Sequence, residues 1–170
     1  LIEITKKIKN YIKINIIVAG KQNIEAKKIL NKKNLVKKSV DANFKILNRF
    51  IYPAEETYLF SNINAVWCVY KNTPLGSSGV FHSSISYQKP VITNNLGLLG
   101  WYNKKYKLGP ILQFKNIEDF RISSKKIIEL SNNKKKYQFY KNNQSRLFNL
   151  IKKQKKLDEL ISDFVDKYNK

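Results

Sequence analysis

Residues 65–93 read AVWCVYKNTPLGSSGVFHSSISYQKPVIT, and the fold follows from this stretch. Its first six residues are almost wholly apolar and rich in β-branched and aromatic types, which predicts a buried strand over 65–70. A loop with Pro74 and Gly76 follows. Ser77 or Ser78 can cap a helix over 78–87, because a serine at that place accepts an otherwise unpaired first-turn N–H. Pro90, Val91, Ile92 and Thr93 then make a second short strand. Strand, loop, helix and strand in this order form one βαβ unit, which requires parallel strands and a crossover helix.

The pattern repeats on both sides. Upstream, apolar spacing predicts a helix over 1–11, and Ile14–Ala19 reads as a strand closed by Gly20. A helix over 23–30 and a strand over 44–47 follow. Pro53 then opens a helix to about residue 62, its first turn carrying Glu55 and Glu56. Downstream, a glycine-punctuated turn through Gly97 and Gly100 leads to a strand over 111–114. Helices are expected over 117–130, 134–149 and 152–168, the last with a single stripe of Leu157, Leu160, Ile161, Phe164 and Val165. The fold class is α/β: a doubly wound, mostly parallel, Rossmann-like sheet with a helical C-terminus, in one domain spanning 1–170. Ligands in such folds bind beyond the carboxyl ends of the strands. The loops after Ala19, Leu47, Val69, Thr93 and Phe114 are therefore the ones to watch.

The composition bounds the rest. Lys and Arg number 33 against 12 Asp and Glu, a net charge of +21, in 170 residues of which 42% are hydrophobic. That much apolar surface excludes disorder. The longest apolar run, near Ile14–Ala19, is far short of the roughly 20 residues of a membrane span, and no signal peptide is visible. One cysteine, Cys68, and one histidine, His82, exclude a disulfide framework and a cysteine- or histidine-rich metal site. The chain starts at Leu1 without any Met, which leads us to expect part of a longer protein. Lys, Ile and Asn dominate, as AAA, ATT and AAT codons dictate in an AT-rich genome. Only Arg49, Arg121 and Arg146 carry a guanidinium, the group that reads phosphate and guanine in a bidentate way. The lysine excess therefore reads first as drift on a solvated surface, although so basic a surface favours anionic membranes and polyphosphates.

Chemistry concentrates after the strand over 65–70. The N–H groups of Ser77, Ser78, Gly79 and Val80 stand at a helix start, where backbone donors and the helix dipole suit a phosphate or diphosphate. Gly76 and Gly79 allow close backbone approach to a ligand. A plain capped helix with small residues for tight packing would read the same way. His82 sits on the early helix and could act as a base or sugar contact, or simply face a neighbouring side chain. Cys68 lies inside a buried strand and is expected in the core. Trp101, Tyr102 and Tyr106 could stack on a base or sugar, or form a packed helix face. Lys134, Lys135 and Lys136, with Lys152, Lys153, Lys155 and Lys156, read as solvated helix faces or as a patch for an acidic membrane leaflet. No nucleophile–base pair is found, so no catalytic residue is assigned.

The run NAVWCVY, then LGSSGVF, then SYQKPVIT resembles the nucleotide-sugar-binding half of GT-B fold glycosyltransferases, with SSGV in the loop and KPVI in the strand as in a subgroup of bacterial sugar transferases. LGLLGWYNKKYKLGPIL is similar to the stretch after that strand, Ile14–Gly20 to an earlier strand, and the three last helices to the family's C-terminal end. The resemblance covers nearly the whole chain but lacks the domain's first strand and the loop whose Arg and Lys grip donor phosphates. It implies a donor-binding domain for a nucleotide-diphosphate sugar, without a cofactor or metal. Gly20, Tyr70, Gly76, Ser77, Ser78, Gly79, Val80, His82 and Ser83 would stand at the substrate. The partner would be an acceptor glycan or lipid-linked sugar, held with the usual base on an N-terminal acceptor domain outside this chain. The location would be the cytoplasm, or the inner face of the membrane by peripheral contact. Five positions depart from the family pattern. Its two loop glutamates fall on Leu75 and Ser83, its Asp before the strand on Asn64, its Pro before Tyr70 on Val69, and its Gly before KPV on Gln88.

Two other readings stay open on the residues alone. One is a basic α/β module that binds nucleic acid non-specifically through lysine-rich helices, against which the scarcity of Arg counts. The other is a degenerate transferase domain kept as a scaffold.

Overall fold

The computed structural model describes residues 4, 7, 8, 10–24, 27, 28, 42–70 and 78–153. The chain divides into two compact units, residues 1–59 and 60–170.

In the first unit, β1 (Ile14–Ala19) pairs in parallel with β2 (Ala42–Leu47), from Ile14 opposite Ala42 to Ala19 opposite Leu47. Half-buried Ile14, Ile16 and Val18 alternate with more exposed neighbours, the period-two signature of a pleated strand. Gly20 ends β1 at φ +116°, a backbone region open to glycine, and its N–H donates to Leu47 O at 3.1 Å. Helix α1 (Pro53–Asn62) begins where the sequence places it. Proline at the first helical position loses nothing by lacking an N–H. Glu55, two residues on, reaches back to accept the Tyr52 N–H at 3.1 Å, half of a capping box. Of the helices expected over 1–11 and 23–30, Ile4, Lys7, Ile8, Ile24, Lys27 and Lys28 are helical, Asn10 and Tyr11 form a turn, Asn23 is not helical, and the rest lie outside the described residues.

The second unit contains β3 (Val66–Cys68), α2 (Gly79–Ser86), β4 (Val91–Asn94), α3 (Gly97–Tyr106), β5 (Ile111–Leu112), α4 (Ile117–Asn132) and α5 (Lys134–Lys152). The strands form a parallel sheet in the order β3-β4-β5, with Val66 opposite Val91 and Thr93 opposite Ile111. The α/β class with parallel strands thus holds for the described residues, as two sheets of two and three strands.

Three expectations change. The strand expected over 65–70 stops at Cys68, and the Tyr70 carbonyl instead accepts the Asn94 side-chain amide at 2.6 Å. The strand over 111–114 stops at Leu112, because Ser123 Oγ occupies both the Gln113 N–H, at 3.0 Å, and its carbonyl, at 2.9 Å. The glycine turn at 97–100 is the first turn of α3. A Cβ on Gly100 would come within 2.7 Å of Asn94 O, so close packing on β4 excludes any larger residue there and overrides glycine's poor helix propensity. The helix expected over 152–168 falls outside the described residues beyond Lys153.

The core of this unit gathers Val66, Cys68 and Val91 from the sheet, Phe81 and Ile85 from α2, Leu99, Trp101 and Tyr102 from α3, and Leu147 from α5. Phe81 is fully buried, a burial that contributes about 1.5–3 kcal/mol. Buried amides fasten the frame. Asn103 donates to Thr93 Oγ1 at 2.8 Å and accepts the Leu108 N–H at 2.9 Å, while Gln144 donates to Lys89 O at 2.9 Å and Leu108 O at 3.1 Å. At Gly109 a Cβ would lie 2.1 Å from Val91 O, so only glycine lets this segment run against β4.

Candidate functional site

The carboxyl ends of β3 and β4 and the start of α2 meet at one place. Ser78 holds an extended backbone (φ −113°, ψ 125°) as the N-cap of α2, its Oγ accepting the Phe81 N–H at 3.4 Å and its carbonyl the His82 N–H at 3.0 Å. The N–H groups of Gly79 and Val80 have no intrahelical partner, as in any first turn, and carry the positive end of the helix dipole. A Cβ built on Gly79 meets nothing within 4 Å among the described residues.

Side chains tie this start to the sheet. The Tyr70 hydroxyl lies 3.1 Å from Ser78 Oγ, and the Tyr70 carbonyl accepts the Asn94 amide. Asn94, last residue of β4, is 8% exposed, and its Oδ1 has no hydrogen-bond partner among the described residues. Sequence reasoning ended that strand at Thr93 and missed Asn94. The available signal was an amide immediately after a buried apolar run, at the sheet end where ligands bind. Between Glu56 and Glu118 the sequence holds no carboxylate, so no acidic side chain from this segment opposes an anion.

Of the residues expected at the substrate, the structure brings together Tyr70, Ser78, Gly79 and Val80. Ser83 stands one turn beyond Gly79 on the same side of α2, half-buried. His82 is half-buried with its ring edge-on to Phe81 at 6.0 Å. Gly76, Ser77 and Leu75 lie outside the described residues, and Gly20 belongs to the first unit. Trp101 and Tyr102 are core residues, 8% and 3% exposed, in edge-to-face contact. Cys68 is fully buried, and burial pushes its thiol up to about 12, partly opposed by a hydrogen bond with Tyr70. Such a thiol carries no nucleophilic thiolate at neutral pH.

No protein-family model, curated protein or solved structure matches the chain. Among the described residues there is no cluster of His, Cys, Asp or Glu able to hold a metal, and no helix long and apolar enough to cross a membrane. What the site offers chemically is a pair of backbone donors on a helix dipole, a hydroxyl pair, and a buried amide oxygen. Donors suit a phosphate, and the acceptor suits a hydroxyl of the same ligand.

Proposed function

We propose that this chain is the donor-binding half of a glycosyltransferase of the GT-B fold, seating the diphosphate of a nucleotide-diphosphate sugar at the start of α2. On this reading the fold is of the doubly wound, Rossmann-like kind. The sugar passes to an acceptor glycan or lipid-linked sugar during synthesis of a cell-surface polysaccharide, on the cytoplasmic side where such donors are made. The observation that carries the reading is the Ser78–Gly79–Val80 helix start, joined through Tyr70 to Asn94 at the ends of two parallel strands. A second observation supports it. Gln88, which stands where the family has glycine, holds a left-handed backbone at φ +53°.

The chain's own part in the reaction is to bind and to stabilise. Backbone N–H groups fixed at the α2 start meet the negative charge that grows on the departing diphosphate, and being preorganised they do not reorient as it forms. Ser83 offers a ribose hydroxyl a hydrogen bond weaker than a carboxylate's. The acceptor and the base belong to the other half of such an enzyme, so this chain alone is expected to transfer no sugar.

Calorimetric titration with UDP, GDP and ADP tests the seat. Binding of at least one, abolished in Gly79→Asp, is the expected result. The substitution sets a carboxylate against the phosphate while its Cβ meets nothing within 4 Å among the described residues, so circular dichroism should stay unchanged. No heat and no chemical-shift change with any of the three nucleotides would overturn the reading.

A further inference from the structure

The strand ends that carry the nucleotide seat also hold an amide whose orientation is fixed. Asn94, the last residue of the central strand β4, is 8% exposed. Its Nδ2 donates to the Tyr70 carbonyl at 2.6 Å. A carbonyl only accepts, so the nitrogen must face Tyr70 and the amide cannot be turned round. The buried Oδ1 is therefore held as an acceptor, and it has no partner among the described residues. Tyr70 in turn carries the hydroxyl that lies 3.1 Å from Ser78 Oγ. Two contacts thus connect Asn94 to the N-cap of α2, at the carboxyl edge of a parallel sheet, where ligands bind in such folds.

Buried polar atoms are almost always hydrogen-bonded, and a buried acceptor left bare costs stability. The Thr93 hydroxyl, one residue back, is turned to Asn103, whose amide donates to it at 2.8 Å. An ionised phosphate cannot serve Oδ1, because its oxygens only accept. The backbone donors of Gly79 and Val80 and the acceptor of Asn94 are satisfied together by a molecule that carries a hydrogen-bond donor a short way from its phosphate. A sugar joined to phosphate through one oxygen is such a molecule, with hydroxyls on the carbons near the ester.

We propose that Asn94 is a specificity-determining residue of the seat, its Oδ1 accepting a hydroxyl of the sugar that the diphosphate carries. The assignment rests on the donor-binding reading for the nucleotide, while the contact itself needs only a sugar phosphate. Ser83 serves the ribose on that reading, which leaves Asn94 for the sugar to be transferred. Tyr70 is a positioning residue, acting through Asn94 and Ser78. Once the sugar has passed to its acceptor, the nucleoside diphosphate left behind lacks this contact, so the product is held less well than it would be with the sugar attached.

Calorimetry of the full chain with UDP, GDP and ADP, each beside its glucose ester, tests the contact. Asn94→Ala should weaken binding of the glucose ester about fivefold, the worth of one neutral hydrogen bond, and that of the nucleoside diphosphate less than twofold. A loss of equal size with both, absent with the 2′,3′-dideoxynucleotide, would overturn the assignment to the transferred sugar and give the contact to the ribose. Equal losses with all three ligands would reduce Asn94 to a support of the Tyr70 segment and overturn the proposal. So would unchanged binding of every ligand. Chemical-shift titration with glucose 1-phosphate and methyl phosphate, two monoesters of which only the first carries hydroxyls, separates the contact from the nucleotide reading. If no nucleotide binds, yet the wild type takes glucose 1-phosphate more tightly than methyl phosphate and Asn94→Ala does not, the donor-binding reading fails and the contact stands. Should Asn94→Ala fail to fold, the wild type alone decides: equal binding of the two monoesters overturns the contact.

Discussion

The hydroxyl of Tyr70, two residues beyond β3, lies 3.1 Å from the Oγ of Ser78, the N-cap of α2. One contact therefore joins the end of a strand to the start of the helix that crosses to the next strand. Ser78→Ala removes the cap acceptor and is expected to lower stability by about 1 kcal/mol. Tyr70→Phe keeps the cap and should cost about 0.5 kcal/mol. Urea unfolding of both variants checks the order. Equal losses would mean that the tyrosine, rather than the cap, fixes the helix start.

Ser83→Glu restores a carboxylate one turn past Gly79. A charge-assisted hydrogen bond to a ribose hydroxyl contributes about 1–2 kcal/mol, so nucleotide affinity should rise about tenfold. Repulsion from the diphosphate opposes this, weakened by the surrounding lysines. Calorimetry decides. Unchanged affinity in Ser83→Glu beside lost affinity in Gly79→Asp would keep the phosphate seat and discard the ribose contact.

Gln88 holds φ +53° just beyond the end of α2. For a residue with a Cβ this conformation costs about 1–2 kcal/mol, and glycine gives back about 0.5–1 kcal/mol of that as extra freedom when unfolded. Gln88→Gly should therefore raise stability by about 0.5–1 kcal/mol, visible as a higher urea midpoint at unchanged slope. A lower midpoint would show that the glutamine side chain itself holds the turn.

Glu55 in the first unit meets Arg49 through both oxygens, at 2.7 and 2.5 Å. The Arg49 guanidinium, helped by the Tyr52 N–H, lowers its carboxyl from 4.5 to about 2. A carboxylate whose folded value is depressed stabilises above its unfolded value and loses that contribution as pH falls. The melting difference between wild type and Glu55→Gln should be full at neutral pH and shrink between pH 4.5 and 2. A difference independent of pH would assign Glu55 to packing. Added salt should shrink it as well, since the pair is exposed.

Elements whose signals are local were legible. Six residues from Ile14 to Ala19 were placed as found, because β-branched residues and a closing glycine say the same thing. Pro53 with two glutamates marked the start of α1 for the same reason. What the sequence hid were bonds between distant segments. The short ends of β3 and β5 follow from Asn94 and Ser123 intercepting backbone groups 24 and 10 residues away. Asn103 and Gln144 are buried amides inside helices, and Gln144 bonds a carbonyl 55 residues away, a relationship no periodicity carries. At the site the serine cap was readable from its position before an apolar helix. Asn94 was not, because its importance lies in what it touches.

A strongly AT-biased genome erodes glycine, whose codons all begin with GG, and only six glycines remain in this chain. Two of them cannot follow the bias. A Cβ at Gly109 would sit 2.1 Å from one backbone atom of β4 and at Gly100 2.7 Å from another, and main chain cannot step aside as a flexible side chain can. Codon drift therefore has a floor set by interatomic distance. Any descendant that keeps the β4–α3–β5 unit must spend GC-rich codons at these two places, however rich in lysine the rest of it becomes.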